Sequence, residues 1–376
     1  MAERRERGPG TKAVHAGLPP AEQGAPFLPG PVFAGPYHLA GDPAGQPFGY
    51  GRYDNPTWKA YESAIAELED ASAATVFTSG MAACTAVLLP AVGRGDVLVA
   101  PADGYPMVRS IAAGHLADRG VETRLVPTAG DWGSAIPGAA LVWLETPSNP
   151  GLDICDVAAI AELAHRNGAL VALDNTLATA LGQSALALGC DFAVSADTKA
   201  TIGHGDMLLG HVATRDDALA QGVRAWRDQT GGVAGPFEAW LAHRSLATLE
   251  LRLERQCANA QAVAEALARR DDVADVRYPG LPSHPQHELA ARQMRRFGMV
   301  VSFTLDSAER AQRFLSACEL VFEATSFGGI HTTAERRARW GHGDNVAEGF
   351  IRFSAGCENT PDLVADVIAA LDSAAG

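Results

Sequence analysis

The hydrophobic pattern divides the chain into three parts. From residue 58 to about 235, helical stretches alternate with short runs that are apolar at every position, at residues 97–100, 141–144, 170–173 and 192–194. A helix is predicted over residues 154–167, beginning near Asp153 and ending at the Asn167-Gly168 pair. Strands that are apolar throughout are buried on both faces, so the alternation predicts a mainly parallel α/β sheet covered by helices.

The two flanking parts follow other patterns. Residues 1–57 are rich in Gly and Pro, and their aromatic residues favour an arm docked on a surface over a disordered tail. Beyond residue 270, strands are predicted at 298–305 and 350–354, and a last helix is predicted to be capped at Thr360. Before them, a long packed helix is predicted by an apolar stripe at helical spacing, formed by Leu246, Leu249, Leu253, Cys257, Ala260 and Leu267.

These patterns predict three regions. They are an N-terminal arm over residues 1–57, a large α/β domain over 58–235 and a smaller C-terminal α+β domain over 236–376.

Composition narrows the possible partners and location. A formal net charge of −14, dispersed along the chain, argues against nucleic acid as a partner. Six cysteines without a CxxC pair indicate reduced thiols and a cytoplasmic protein. The charged N-terminus lacks the apolar core of a signal peptide, and we expect no membrane-spanning segment.

Candidate chemistry follows the predicted strands. Glu145, Asp174 and Ser195 come directly after three of the apolar runs. Because the carboxyl ends of parallel strands meet at one edge of a sheet, we expect these residues to gather there, where ligands bind in such folds.

Lys199 follows the fourth apolar run, among small and hydroxylic residues. A lysine in a partly dry pocket has a lowered pKa and can form a Schiff base, although most lysines in loops are simply solvated. Asp174 ends a buried strand, where a carboxylate needs a partner. That partner is either a protonated pyridine nitrogen or the N-terminus of the following helix.

Two further features lie upstream. Ser79, Gly80 and Met81 form a small-residue turn entering a helix, which suits either phosphate binding or ordinary helix capping. Tyr105 follows the next strand, and it either stacks on an aromatic ring or belongs to the core. A strand-end lysine, a strand-end acid, a phosphate cradle and a ring platform together match the requirements of pyridoxal 5′-phosphate (PLP).

The ordered motifs of the chain resemble those of the Cys/Met-metabolism PLP-dependent enzymes, which include cystathionine γ-lyases, cystathionine γ-synthases and methionine γ-lyases. The resemblance covers nearly the whole chain. It is carried by TKAVHAG (11–17), YGRYDNPT (50–57), SGM (79–81), ETPSNP (145–150), DNT (174–176), TK with GHGD (198–199, 203–206), HPQHE (284–288), SFGG (326–329) and IRFSAG (351–356).

The resemblance implies an aspartate-aminotransferase-like fold (fold type I) and assigns roles to individual residues. Lys199 would bond to PLP, Asp174 would pair with the pyridine nitrogen, and Tyr105 would stack on the ring. Other implied roles are phosphate binding by Ser79, Gly80, Met81 and Thr198, phosphate contacts in a neighbouring subunit by Tyr50 and Arg52, and substrate binding by Arg352 (at the α-carboxylate), Asn149 and Ser326.

Three departures from the family pattern affect this assignment. Ala196 stands where a phosphate-binding serine is usual, so that either Ser195 replaces it or one contact is lost. The segment after Tyr105 lacks the usual Gly-rich run, and it lacks a cysteine, which weakens a methionine γ-lyase reading. The loop after Gly329 is shortened, and His331 either faces the distal end of the substrate or faces solvent. The histidines of the HPQHE motif belong to a family loop, and we predict no metal site.

The resemblance implies a γ-lyase acting on cystathionine, assembled as a homotetramer. A γ-replacement synthase shares the same motifs and stays open, as does a γ-lyase for an unusual amino acid. A dinucleotide-binding dehydrogenase is disfavoured, because no GxGxxG follows the first strand of the alternating region.

Overall fold

A computed structural model describes residues 7–340 and 344–375. Residues 1–6, 341–343 and 376, which belong to the predicted arm and C-terminal domain, lie outside the described residues. The strands form a seven-stranded and a five-stranded sheet. The larger sheet contains β1 (Ala73–Phe77), β2 (Val97–Pro101), β3 (Glu122–Val126), β4 (Leu141–Glu145), β5 (Leu170–Asp174), β6 (Phe192–Ser195) and β7 (Gly210–Thr214). The smaller contains β8 (Ala274–Arg277), β9 (Val300–Thr304), β10 (Phe322–Glu323), β11 (Thr333–Arg336) and β12 (Phe350–Ser354).

Helices cover both sheets. In chain order they are α1 (Pro9–His15), α2 (Pro56–Glu69), α3 (Gly80–Ala91), α4 (Pro106–Ile111), α5 (Val157–Arg166), α6 (Thr179–Gly182), α7 (Asp217–Thr230), α8 (Pro236–Leu246), α9 (Leu249–Ala268), α10 (His287–Gln293), α11 (Ala308–Ala317) and α12 (Thr360–Ala374). Over the described part of the chain, none of these helices is both long and apolar enough to cross a membrane.

The larger sheet confirms the predicted α/β class. Its strand order is β1-β7-β6-β5-β4-β2-β3, and only β7 runs antiparallel to its neighbours. Val142 and Leu144 of β4 belong to one hydrophobic core, whereas Leu141 and Trp143 belong to the core on the opposite face. Burial on both faces is what the continuous apolar runs predicted.

The prediction missed strands whose sequences are not continuously apolar. β7 carries the polar residues His211 and Thr214. Both are buried, because β7 lies between strands β1 and β6 in the sheet. β3 lies at the edge of the sheet, where the charged residues Glu122 and Arg124 interrupt the apolar pattern. In the smaller sheet β8, β10 and β11 were not predicted either, and all three are short.

Several predicted helix boundaries were wrong. Helix α5 begins after Asp156, which caps it by accepting a hydrogen bond from the Ala159 N–H, so it does not begin near Asp153. Asp153 instead forms an ion pair with Arg277. Helix α12 is preceded by Asn359, so Thr360 is its first residue and not its cap.

The predicted long helix is two helices. The helical path breaks at Ala247 and Thr248, between α8 and α9. Leu249 and Leu253 of α9 pack in the core of the larger sheet, whereas Ala260 and Leu267 pack in the core of the smaller one. The chain therefore passes from one hydrophobic core to the other within α9. The predicted domain boundary at residue 235 stays a prediction.

Residues 16–57 are mostly irregular, and part of this segment is fixed to its own chain. The Asn55 amide donates to the Val32 carbonyl, and the Val32 N–H donates to the Thr57 hydroxyl, both at 2.9 Å. Trp240 Nε1 of α8 donates to the Pro29 carbonyl at 2.8 Å. The arm nevertheless exposes large apolar side chains, with Phe27 and Phe33 at 92% and 73%.

Candidate active site

A cavity of about 270 Å³ lies at the carboxyl edge of the larger sheet, where it meets residues of the smaller domain. The paired ends of β4 and β5 place Glu145 opposite Asp174 at this edge, as the strand pattern predicted. The lining residues that the sequence had predicted for the site are Ser79, Gly80, Met81, Tyr105, Asn149, Asp174, Thr198, Lys199, Ser326 and Arg352.

Lys199 presents its amine to this cavity. Its Nζ donates to Ser326 Oγ at 2.7 Å and lies 5.0 Å from the centre of the Phe327 ring. Burial, assisted by the positive charge of Arg352, lowers the pKa of Lys199 to about 8. About a tenth of the amine is therefore neutral at pH 7, and the neutral amine is the form that acts as a nucleophile or base.

Two carboxyl groups meet at the ends of β4 and β5. Burial, followed by the charge of Asp174, raises the pKa of Glu145 well above its usual range. Glu145 accepts hydrogen bonds from the backbone N–H groups of Tyr105 at 2.6 Å and Asn149 at 3.1 Å. Burial also raises the pKa of Asp174, although hydrogen bonds from Thr176 oppose the rise. A cationic group placed against Asp174 would relieve this cost.

The turn into α3 forms a compact cradle. A Cβ added to Gly80 would lie 2.4 Å from the Cβ of Ala196, and one added to Gly210 would lie 2.6 Å from the Cα of Gly80, so neither position accommodates a side chain. The Ser79 hydroxyl caps the helix by accepting from the Ala82 N–H. The N–H groups of Gly80 and Met81 have no acceptor among the described residues. This is the arrangement that binds phosphate at a helix N-terminus.

The smaller domain contributes the opposite wall. Arg352 of β12 is buried and donates from Nη1 to Asn149 Oδ1 at 2.8 Å and from Nη2 to the Ser326 carbonyl at 3.0 Å. Its Nη2 also donates to the buried carboxylate of Glu335. Burial, with the charge of Arg337, lowers the pKa of Arg352 to about 10, so the guanidinium remains charged at neutral pH.

Four predicted site residues lie outside this cavity lining. Ser195 is buried within the larger sheet, paired with His211, and the next residue, Ala196, faces the cradle instead. A phosphate contact from Ser195 is therefore unsupported, because its place in the strand keeps it behind the cavity wall. Thr176 does line the cavity, and its hydroxyl accepts from the Ala196 N–H at 2.8 Å.

The other three are His331, Tyr50 and Arg52. His331 is exposed, and its ring packs edge-on against Phe322 with centroids 5.7 Å apart, which favours the interpretation as a solvent-facing loop residue. Tyr50 and Arg52 lie on the arm, where Arg52 donates to the Asp228 carbonyl of its own chain and stacks on Tyr53. Their predicted contact with a neighbouring subunit stays a prediction.

Sequence reasoning missed Phe327, Glu335 and Arg337. Phe327 and Arg337 line the cavity, and Glu335 lies buried behind it. Glu335 and Arg337 stand in a run of charged residues, a pattern that is typical of a solvated surface. No signal in the sequence pointed to Glu335, because its place in a short strand opposite Arg352 is visible only in the structure.

The histidines of the HPQHE motif have structural partners. His284 Nε2 lies 3.1 Å from the Leu152 carbonyl, and His287 Nδ1 lies 2.9 Å from the Pro279 carbonyl. Burial lowers the pKa of His284 to about 4.

These features fit PLP. The cradle at Gly80 and Met81 suits its phosphate, Asp174 suits a protonated ring nitrogen, and Lys199 lies in the same cavity to bond its aldehyde. The fold and the site thus define a PLP-dependent enzyme with a mainly parallel sheet.

The chain belongs to the Cys/Met metabolism PLP-dependent enzyme family, whose sequence profile matches residues 30–372. It is 56% identical over 373 residues to a Streptomyces coelicolor protein with the provisional name cystathionine gamma-lyase, covering 97% of this chain and 94% of that protein. It is 38% identical over 380 residues to the cystathionine gamma-synthase of Mycobacterium bovis, covering 97% of each. The crystal structure of metB from Corynebacterium glutamicum superposes with a TM-score of 0.94 at 33% identity, covering 97% of this chain and 98% of that one.

Proposed function

We propose that the protein catalyses γ-elimination on a sulfur amino acid, converting cystathionine to cysteine, 2-oxobutanoate and ammonia. The observation that carries this proposal is that one cavity holds Lys199, whose pKa is about 8, together with Asp174 and Arg352. The similarity to the Streptomyces coelicolor protein supports the lyase activity over other reactions of the family.

Each residue has a distinct part in this reaction. PLP, when bound, supplies an electron sink for charge that develops on the substrate carbons. Asp174 would hold the proton on the pyridine nitrogen of the bound cofactor. Arg352 binds the substrate α-carboxylate, and Asn149 fixes the guanidinium by accepting its Nη1 hydrogen bond.

Lys199 is the proton-transfer group. Its neutral Nζ takes a proton from Cα of the substrate, and its hydrogen bond to Ser326 Oγ keeps the amine on the substrate side of the cavity. Loss of a second proton, from Cβ, allows the C–S bond at Cγ to break, and cysteine departs with the sulfur. Water then releases the remaining four-carbon product and ammonia.

A γ-replacement synthase is the second candidate. The similarity to the Mycobacterium bovis cystathionine gamma-synthase favours it, and the cavity residues serve both reactions alike. The two differ only in whether a thiol adds back at Cγ. The hypothesis of a γ-lyase for an unusual amino acid depended on the loop at His331, and His331 does not line the cavity.

We further propose a cytoplasmic homotetramer, a dimer of dimers. The exposed aromatic side chains of the arm, Phe27, Phe33, Tyr50 and Tyr53, support burial against a second copy, since exposed apolar patches are typical of interaction surfaces. Tyr50 and Arg52 would then reach the phosphate in the neighbouring subunit.

The deciding experiment is incubation of the purified holoenzyme with cystathionine, homocysteine, methionine and acylated homoserines, followed by identification of the products. We expect 2-oxobutanoate and cysteine from cystathionine, and no activity from Lys199→Ala. Formation of cystathionine from an acylated homoserine and cysteine, without release of 2-oxobutanoate, would instead establish the synthase.

A further inference from the structure

The substrate-side wall of the cavity carries two arginines. Its lining residues from the smaller domain are Thr325, Ser326, Phe327, Arg337 and Arg352, which include no acid. The proposed reaction assigns Arg352 to the α-carboxylate. Arg337, the first residue of the turn after β11, has no part in that reaction.

The two arginines are held by acids that do not line the cavity. Nη1 of Arg337 donates to Glu335 Oε1 at 2.8 Å, and the same oxygen accepts from Nη2 of Arg352. The two guanidinium groups are therefore bridged by a single carboxylate oxygen. On its other side, Nε of Arg337 donates to Asp344 Oδ2 at 2.8 Å.

Arg337 retains donors for a ligand. A guanidinium has five N–H donors. Arg337 uses one toward Glu335 and two toward Asp344, so two have no acceptor among residues 7–340 and 344–375. Its charge also reaches Tyr105: burial raises the pKa of Tyr105, and Arg337 opposes that rise. Arg337 is thus an oriented cation in the cavity lining, with two N–H donors available to a ligand.

From this geometry we infer that Arg337 binds a second carboxylate, at the distal end of the substrate. The inference rests on the proposed γ-elimination and narrows its substrate class to amino acids with two carboxylates, of which cystathionine is one. A planar guanidinium already oriented by Glu335 and Asp344 loses little freedom when it binds an anion, which favours binding of a carboxylate there. Methionine and homocysteine lack this second group.

The test compares two probes that differ mainly in the distal carboxylate, O-succinylhomoserine and O-acetylhomoserine. Wild-type holoenzyme should prefer the succinyl ester in kcat/KM and in the dissociation constant, the latter read from changes in the visible absorbance of bound PLP. In Arg337→Gln the succinyl-to-acetyl preference should fall about ten- to a hundred-fold, the effect of losing a charge-assisted hydrogen bond. Glutamine keeps an N–H donor for Glu335, which protects the fold.

Arg336→Gln is the matched control. Arg336 is the adjacent residue of β11, but it pairs with Glu348 at 3.0 Å and does not line the cavity, so its substitution should keep the preference. Arg337→Lys, which retains the charge, should restore part of it. An unchanged preference in Arg337→Gln, an equal fall in Arg336→Gln, or no preference in the wild type would overturn the inference.

Failure of the proposed function gives a different result. If cystathionine yields no 2-oxobutanoate, the lyase proposal fails, yet the dissociation constants of the two esters still report whether Arg337 selects the distal carboxylate. An equal loss of affinity for both probes in Arg337→Gln would mean that Arg337 only positions Arg352 through Glu335, and it would also overturn the inference.

Discussion

At the scale of single residues, the ionisation of Lys199 gives the most direct test of the cavity. Burial and the charge of Arg352 lower its pKa to about 8. We predict that the rate at which PLP bonds to the apo-protein rises with pH, with a midpoint near 8, because only the neutral amine reacts. The visible absorbance of the bound cofactor measures this rate.

Substitution of Arg352 tests whether its charge lowers the pKa of Lys199. Arg352→Gln removes a positive charge that disfavours protonation of Lys199, so the midpoint should move to higher pH. Arg336→Gln, an arginine outside the cavity lining, should leave it in place. A wild-type midpoint close to 10 would mean that the amine is solvated.

Arg352→Lys tests how the α-carboxylate is bound. Lysine keeps a charge but cannot reproduce the fork that donates to Asn149 and Ser326. We predict that KM rises about ten- to a hundred-fold for every amino-acid substrate alike. A rise confined to one substrate would assign Arg352 to the side chain of that substrate.

For His331→Ala, in contrast to Arg352→Lys, we predict no effect on substrate binding. Because His331 is exposed and packs on Phe322 outside the cavity lining, its loss should leave the ranking of substrates unchanged. The measurement is kcat/KM for cystathionine, homocysteine and the acylated homoserines. A changed ranking would indicate that this loop reaches the distal end of the substrate in the assembled enzyme.

At the scale of elements, a buried polar network joins α2, β7 and the segment that carries Lys199. Asp197 Oδ1 lies 2.7 Å from His211 Nδ1, and Asp197 Oδ2 accepts from the Tyr61 hydroxyl at 2.9 Å. His211 Nε2 lies 3.4 Å from Glu69. Burial disfavours the imidazolium, but Asp197 and Glu69 outweigh it and raise the pKa of His211 to about 10.

This network makes stability depend on pH. A histidine whose pKa is raised by folding stabilises the fold fully below its unfolded pKa of about 6.5. That contribution is lost as the pH rises toward 10. Asp197→Asn should therefore cost about 3–5 kcal/mol at pH 6.5, and less at pH 9.5.

Urea unfolding of the variant and the wild type at both pH values measures this difference. Glu162→Gln, which breaks the exposed pair with Arg166, is the control and should cost less than about 1 kcal/mol at either pH. A cost for Asp197→Asn that is independent of pH would show that His211 is neutral in the folded protein.

The same network shows why part of the fold could not be predicted. The apolar runs of β2, β4, β5 and β6 were identified because burial on both faces leaves a local pattern. β7 was missed since His211 looks polar in sequence and is buried only through partners 14 and 142 positions away. Glu335 and Arg337 were missed for the same reason, whereas Lys199 and Asp174 follow strands that the pattern already located.

At the scale of the whole molecule, the arm decides whether one chain can form a complete site. Within its own chain, Arg52 contacts the Asp228 carbonyl and lies outside the cavity lining. The exposed aromatics around it favour a second copy as its true neighbour. If each site combines residues of two subunits, two chains with different defects should restore activity when they assemble together.

We therefore predict that Lys199→Ala and Arg52→Gln chains complement each other. Lys199→Ala abolishes turnover, and Arg52→Gln should weaken PLP retention and activity. In a mixed dimer, one of the two sites combines the intact lysine of one chain with the intact arm of the other, so the purified mixed dimer should have about half of wild-type activity and the unpurified co-expression about a quarter. Separately tagged chains and a two-step purification isolate the mixed species. Mixed dimers no more active than either parent would mean that Arg52 acts within its own chain, through the Asp228 contact.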